Sequence, residues 1–349
     1  MTRVRVLVVD DSAVLRELIV HLLSSDPDIQ VVGTANNGKE AVEAAKQKKP
    51  DVITMDFHMP TMNGLDATRR IMETHPVPIV VLSASTVPDE AASAFRMLEA
   101  GALAIVEKPL GIDHPDHEVA TRKLLQTVKL MAEVKVVRRW PKRAVMNTPV
   151  PVIQAVRLKP MPSTIKLVAF GASTGGPIVL KTILSGLPKN FPVPIVIVQH
   201  IADGFAEGLA EWLTQSSGIL VHVAMNDQEL LPGHAYVAPV GRQMMLGKDG
   251  RIALSDGGLV NGHSPSVSCL FRSVAEVLGR DAIGVLLTGM GKDGAEELKL
   301  LKDRGAITFV QDRETSVVHG MPGEAIQLDA ATHVLTPDEI SAALGSLAH

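Results

Sequence analysis

Residues Ile165-Lys166-Leu167-Val168-Ala169-Phe170-Gly171-Ala172-Ser173-Thr174-Gly175-Gly176-Pro177 run from an apolar stretch straight into small residues and a proline. That pattern predicts a buried strand, a sharp turn, and a helix opened by Pro177. A strand that turns at once into a helix projects the turn side chain above the sheet edge, where a nucleophile can sit. Ser173 is that side chain. The glycines permit the turn without Cβ clashes, and the amide of Thr174 is placed to help bind an oxyanion. A Gly-rich turn at a helix N-terminus can equally cradle a phosphate. On these residues alone the two readings stand level.

Further along the second half, Pro194-Ile195-Val196-Ile197-Val198 reads as a buried strand ending in Gln199-His200. Ala282-Ile283-Gly284-Val285-Leu286-Leu287 reads as another, running into Thr288-Gly289-Met290-Gly291-Lys292-Asp293-Gly294. Ser173, His200 and Asp293 thus each fall at or just past the carboxyl end of a parallel-type strand. Gathered on one rim they can form a hydrolytic relay: Asp293 orients His200, His200 takes the Ser173 proton, and Ser173 attacks an acyl carbon. Competing assignments exist. Asp293 with Glu296 fits a capping box ahead of a helix over Ala295 to Leu301. Asp203, Asp227 and Asp312 are alternative acids, and His222, His234, His263 and His319 are alternative bases. No His-Glu-x-x-His spacing occurs, so nothing supports a metallohydrolase.

The chain has 349 residues, which suggests two domains. A hydrophobic content of 46% with only 3% aromatic favours Val, Ile, Leu and Ala in fully buried parallel strands. The longest apolar runs are about six residues, so neither a membrane span nor a signal peptide is expected, and a cytoplasmic location follows. The single cysteine, Cys269, excludes an internal disulfide or thiolate zinc cluster. A net charge of -4 gives no general reason to expect nucleic acid or an anionic membrane as partner.

The first half alternates strands and helices. Strands are expected at Val4 to Val9, Ile29 to Thr34, Val52 to Met55, Ile79 to Leu82 and Ala104 to Val106, with helices near 38 to 47, 64 to 74 and 89 to 100. The polar residues at the strand ends are Asp10, Asp11, Asp56, Ser83 and Lys108. In a doubly wound sheet those ends converge on one crevice. Three carboxylates there would repel one another unless they shared a hard cation, and Mg²⁺ is the candidate, on Asp10, Asp11 and Asp56. Asp56 would attack a phosphoryl donor, with Ser83 and Lys108 contacting phosphate oxygens. Taken singly, Ser12 and Asp11 also read as helix caps and Asp56 as a turn residue.

A last helix is expected near 118 to 134, after which prolines interrupt the pattern as far as Lys166. Seven Lys or Arg and no Asp or Glu occur between Lys135 and Lys159, which describes an extended basic tether.

Val8-Val9-Asp10-Asp11-Ser12, Asp56-Phe57-His58-Met59-Pro60 with Asn63-Gly64, Leu82-Ser83-Ala84 and Lys108-Pro109 resemble the response-regulator receiver domains of two-component signalling. The resemblance implies that a histidine kinase phosphorylates Asp56 and that the His58 carbonyl completes the Mg²⁺ site. Ile105 stands where an aromatic is common, and His58 where an acidic or amide side chain is usual. In the second half, Gly171-Ala172-Ser173-Thr174-Gly175-Gly176, Gln199-His200, Leu231-Pro232-Gly233-His234-Ala235-Tyr236-Val237-Ala238-Pro239, Leu287-Thr288-Gly289-Met290-Gly291-Lys292-Asp293-Gly294 and Gly320-Met321-Pro322 resemble the chemotaxis protein-glutamate methylesterases. That resemblance implies a Ser173, His200, Asp293 triad, an oxyanion site at Thr174 and Met290, and no cofactor for the hydrolysis. The implied substrates are γ-methyl esters of methylated chemoreceptors, with receptor glutamines as further substrates. It also implies that an unphosphorylated receiver covers the Ser173 rim until Asp56 is phosphorylated. Ser268, His319 and Ala202-Asp203 depart from the family pattern, which is expected to bear on substrate fit more than on chemistry.

The expectation is therefore an α/β chain of two doubly wound parallel-sheet domains, flavodoxin-like then Rossmann-like. A receiver would span 1–125, a Pro-rich basic linker 126–163 and a methylesterase domain 164–349. The rival is a receiver-controlled, non-catalytic module that binds phosphate or nucleotide at Gly171 to Pro177. A transcription factor is disfavoured because no helix-turn-helix with a basic recognition helix follows the receiver.

Overall fold

The computed structural model describes residues 3–83, 88–109, 111, 114, 117–136 and 164–348. Its chain divides into two units, Met1–Pro149 and Val150–His349.

In the first unit the apolar runs become strands and the periodic stretches become helices, in strict alternation. They are β1 (Val4–Val9), α1 (Ala13–Ser24), β2 (Ile29–Ala35), α2 (Gly38–Lys48), β3 (Val52–Asp56), α3 (Gly64–Thr74), β4 (Ile79–Ser83), α4 (Pro88–Ala100), β5 (Ala104–Glu107) and α5 (His117–Ala132). The sheet is wholly parallel in the order β2-β1-β3-β4-β5. Every residue of β3 and β4 is buried, as expected of inner strands covered on both faces. Ser12, Asn37 and Asn63 each accept an amide from the first turn of the helix that follows, which sets where α1, α2 and α3 begin.

The second unit holds β6 (Leu167–Ala172), α6 (Gly176–Ser185), β7 (Ile195–Gln199), α7 (Ala206–Ser217), β8 (Leu220–Val223), β9 (His234–Val237), β10 (Gln243–Leu246), β11 (Ile252–Ser255), α8 (Val267–Val277), β12 (Ala282–Leu286), α9 (Ala295–Asp303), β13 (Ile307–Gln311), α10 (Gly320–Gln327), β14 (His333–Leu335) and α11 (Pro337–Gly345). Seven parallel strands order as β14-β13-β12-β6-β7-β9-β8, and β10 and β11 form a separate antiparallel pair. The chain winds outward from β6 through β7, then returns to the other side of β6 as β12. The crevice between β6 and β12 is thus a topological switch point, where open α/β sheets place their ligands.

The expected receiver limit at 125 falls inside α5, which continues to Ala132, and the proline-rich basic stretch 137–163 lies outside the described residues. Among the described residues, no helix is long and apolar enough to cross a membrane.

Phe170 is fully buried on β6, its register partners being Val285 of β12 and Ile197 of β7. Phe170→Ala should cost about 3–5 kcal/mol. The expected readout is a lower urea midpoint for the second unit with an unchanged slope.

Candidate functional site

The ladder among β12, β6 and β7 continues one step beyond the strands. His200 N–H donates to the Ala172 carbonyl at 2.9 Å, and Ser173 N–H donates to the Thr288 carbonyl at 3.0 Å. Ser173 and His200 therefore leave the sheet side by side at its carboxyl edge. The turn after Ser173 closes when Gly176 N–H donates to the Ser173 carbonyl at 2.8 Å. Gly175 adopts φ +81°, a left-handed conformation that suits glycine. Gly289 packs so tightly that an added Cβ would lie 2.7 Å from Ser173 Cβ. The Gln199 side-chain amide, buried between the two residues, donates to the Ser173 carbonyl at 2.8 Å and to the His200 carbonyl at 3.0 Å.

The His200 ring presents Nε2 to Asp293 Oδ2 at 3.0 Å, with both side chains nearly closed off from solvent. Its Nδ1 is buried and has no hydrogen-bond partner among the described residues. With Asp293 accepting from Nε2–H, Nδ1 carries the lone pair and is the nitrogen available to take a proton. The Ser173 hydroxyl is not hydrogen-bonded to His200 among the described residues. Such bonds commonly tighten only when substrate is bound. The amides of Thr174 and Met290 donate to no group among the described residues, which leaves them open to an acceptor on the rim. The peptide that carries the Thr174 N–H is oriented through its Ser173 carbonyl, which accepts from Gln199 Nε2 and Gly176 N–H, both at 2.8 Å.

Asp293 is held by more than His200. Its Oδ1 accepts from Ser266 Oγ at 2.8 Å, Asn261 Nδ2 at 3.1 Å and Ser268 N–H at 3.3 Å, and its Oδ2 accepts from Val267 N–H at 2.7 Å. Val267 and Ser268 are the first residues of α8, so the carboxylate also faces the positive end of that helix. Burial opposes its ionisation, but the hydrogen bonds and charge of His200, with those of Ser266 and Asn261, outweigh it. They hold the Asp293 carboxyl far below the usual carboxylate range.

These contacts bear on the alternatives. The capping-box reading of Asp293 fails: α9 is capped by Gly294 at φ +82° with no side-chain cap, because Asp293 turns away to α8. Asp203 accepts from the amide of Gly204 and Asp312 from that of Thr315, and neither meets His200. His222 and His234 pair with each other at 2.8 Å, and burial, then the neighbouring His234, lowers the His222 pKa. His263 stacks face to face on His200, with ring centroids 3.8 Å apart. A turn that only cradled phosphate would not require this buried imidazole–carboxylate pair beside it.

In the first unit, Asp10, Asp56, Ser83 and Lys108 also gather at a switch point, between β1 and β3. Lys108 Nζ lies 2.9 Å from Asp56 Oδ1 and 3.2 Å from Asp10 Oδ2. The second distance lacks hydrogen-bond geometry, so that buried Asp10 oxygen has no hydrogen-bond partner among the described residues. Burial raises the Asp56 pKa despite Lys108. Burial also opposes the Lys108 ammonium, but Asp56 and Asp10 outweigh it and raise its pKa. Carboxylate oxygens of Asp10, Asp11 and Asp56 lie within 4.8 Å of one another. An all-oxygen, net-negative set with an unsatisfied buried oxygen fits a hard divalent cation such as Mg²⁺. Ser12 is an ordinary helix cap, as its alternative reading had it, whereas Asp11 is exposed and available to a cation.

Residues 168–344 match the family model described as CheB methylesterase, and residues 6–120 match that described as response regulator receiver domain. Protein-glutamate methylesterase/protein-glutamine glutaminase 4 of Geobacter metallireducens is 56% identical over 346 residues, covering 99% of both chains. The protein-glutamate methylesterase/protein-glutamine glutaminase of Nitrosospira multiformis is 54% identical, covering 99% of this chain and 97% of that one. This chain belongs to the CheB methylesterase family. The crystal structure of the Thermotoga maritima CheB methylesterase catalytic domain is 38% identical and covers 52% of this chain and 98% of its own, with a TM-score of 0.51.

Within this CheB-family chain, sequence reasoning missed the part played by segment 261–268. Asn261-Gly262 is a type I′ turn signature, and Ser266 before the apolar spacing of Val267, Leu270, Phe271 and Val274 is a helix-cap signature. Both signals were present in the sequence. Ser268 was expected to bear on substrate fit, yet its Oγ accepts from Gly294 N–H and Asn261 Nδ2, both at 3.0 Å, and so backs Asp293.

Because the folded Asp293 pKa lies below its unfolded value of 3.8, its contribution to stability is present above that value and is lost as pH falls below it. Asp293→Asn should destabilise the second unit by about 3 kcal/mol at neutral pH. In urea titrations the gap from wild type should close as pH falls below 3.8. In the receiver, millimolar Mg²⁺ should raise the melting temperature of wild type and leave that of Asp10→Ala/Asp11→Ala unchanged, read by differential scanning calorimetry.

Proposed function

We propose that this protein hydrolyses glutamate γ-methyl esters on chemoreceptors, and deamidates receptor glutamines, under control of phosphorylation at Asp56. The observation that carries the reading is the Asp293–His200 pair at 3.0 Å beside the Ser173 turn, in a chain of this family. In the proposed reaction His200 Nδ1 takes the Ser173 proton as Oγ forms its bond to the ester carbonyl carbon. The carbonyl oxygen becomes an oxyanion, stabilised by the amides of Thr174 and Met290. Asp293, locked as a carboxylate, stabilises the imidazolium that forms and fixes its tautomer. The imidazolium returns the proton to the leaving oxygen, and methanol departs. Water, deprotonated by His200, then cleaves the acyl-Ser173 bond to give the glutamate carboxylate. With a glutamine substrate the group leaving is ammonia.

In the N-terminal domain, Asp56 attacks phosphorus of a phosphohistidine or small phosphodonor, and the donor leaves without its phosphoryl group. A histidine kinase is the proposed donor. Lys108 stays protonated between Asp56 and Asp10 and neutralises the incoming phosphoryl oxygens, with Ser83 as a further contact. A bound Mg²⁺, held by Asp10, Asp11, Asp56 and the His58 carbonyl, would supply the remaining neutralisation. The proposed order is a receiver that ends with α5, a linker up to 163 and a methylesterase domain over 164–349, in a cytoplasmic protein that acts without nucleic acid or membrane insertion.

The test is methanol release from methylated receptor, with and without acetyl phosphate and Mg²⁺. Wild type should be accelerated by the phosphodonor, Asp56→Asn should not, and Ser173→Ala should be inactive. Asp293→Asn should lose roughly 10⁴-fold in turnover. Wild-type activity in Ser173→Ala would refute the reading.

A further inference from the structure

Among the described residues His200 has one ring hydrogen bond, from Nε2 to Asp293, and its backbone amide is tied to Ala172. A single bond at one corner leaves an imidazole free to swing about that bond, which would displace Nδ1. What closes off that motion is His263, whose ring stacks on that of His200, its plane 6° from parallel and its centroid 3.8 Å away. The two rings cannot tilt independently without losing that contact or clashing.

His263 is itself held by backbone. Val260 and His263 exchange both amide bonds, at 2.9 and 3.0 Å, around Asn261 at φ +54° and Gly262 at φ +80°. Left-handed conformations at both central residues make this a type I′ turn. Gln243, buried on β10, anchors the turn by donating to the carbonyls of Gly258 and His263 at 2.8 and 2.9 Å. From this one turn Asn261 reaches Asp293 and His263 reaches His200. The turn therefore fixes acid and base relative to each other.

We infer that His263 is a positioning residue for the hydrolysis: its flat ring fixes the plane of His200, so that Nε2 meets Asp293 while Nδ1 faces Ser173. This rests on the Ser173–His200–Asp293 reading above. His263 presents a ring face to His200, so its part there is that of an aromatic platform. Displacing a reacting group by about 1 Å can cost about 10² in rate, which sets the expected scale.

The experiment is steady-state methanol release by the phosphodonor-activated full chain, comparing wild type, His263→Phe, His263→Leu and Ser173→Ala, with melting temperatures. The stack predicts that His263→Leu, which fills space without a flat face, loses about 10- to 100-fold in kcat. KM should stay within about twofold, whereas His263→Phe should recover most of kcat. Should the Leu variant fail to fold, His263→Gln, polar and without a ring, makes the same comparison. Equal kcat in Leu, Phe and wild type overturns the inference, as does a Phe variant as slow as Leu. A loss that appears in KM instead would mark His263 as a substrate contact and also overturn it. The Ser173→Ala arm separates the two levels. If Ser173→Ala is inactive while His263→Leu is normal, only the stack fails; if Ser173→Ala is active, the triad reading fails with it.

Discussion

A carboxylate that is 98% buried cannot stay ionised without donors, and the surroundings of Asp293 follow from that requirement. Five hydrogen bonds reach its two oxygens, four of them from residues 261–268 and the fifth from His200. Each donor fixes something else in turn. The Val267 and Ser268 amides set where α8 begins, Ser266 is both the α8 cap and a ligand of the carboxylate, and Asn261 determines how the turn sits. Gln243 joins the same network by accepting from Ser266 N–H at 2.8 Å while it holds the turn carbonyls. A satisfied buried network of this kind rigidifies its neighbourhood, whereas a partly satisfied one would destabilise it.

The sheet supplies the rest of the geometry. β6 lies between β12 and β7, so the three strand ends that carry Ser173, Asp293 and His200 are neighbours although the residues are far apart in sequence. The close approach of Gly289 to Ser173, and the span of Gln199 between the Ser173 and His200 carbonyls, tie the ends together through main chain. Backbone atoms move less than side chains, so a site anchored at strand ends is better defined than one on free loops.

Much of this was legible in the sequence, and the reason is local. Ser173, His200, Asp10, Asp56 and Lys108 each fall within two residues of the end of an apolar run, and parallel strands bring such positions together whatever the loops do. Asp293 was harder to place, because a carboxylate three residues before a glutamate at a helix start is an equally good cap. Only the tertiary position of α8, whose amides compete for it, decides the matter. Strands β8 and β14 and the β10–β11 pair, with three or four residues each, carry little periodic signal, and the stack of His263 on His200 depends on two segments 63 residues apart in the sequence.

The two units use one architectural rule for opposite electrostatic ends. Both place an aspartate at the switch point of a parallel sheet, and both bury it. Asp293 is met by several protein donors, so its carboxyl is held far below the ordinary range and it stays charged at neutral pH. Asp56 has the Lys108 ammonium and the Phe57 amide, but it shares the lysine with Asp10, and burial prevails to raise its pKa. A carboxylate so held suits a fixed part that must stabilise the same imidazolium on every turnover. An under-compensated one gains from any cation that enters, and the lysine and cation that answer it also attract a phosphoryl group. The difference in hydrogen-bond supply is thus what supports reading one aspartate as a constant of the chemistry and the other as its switch.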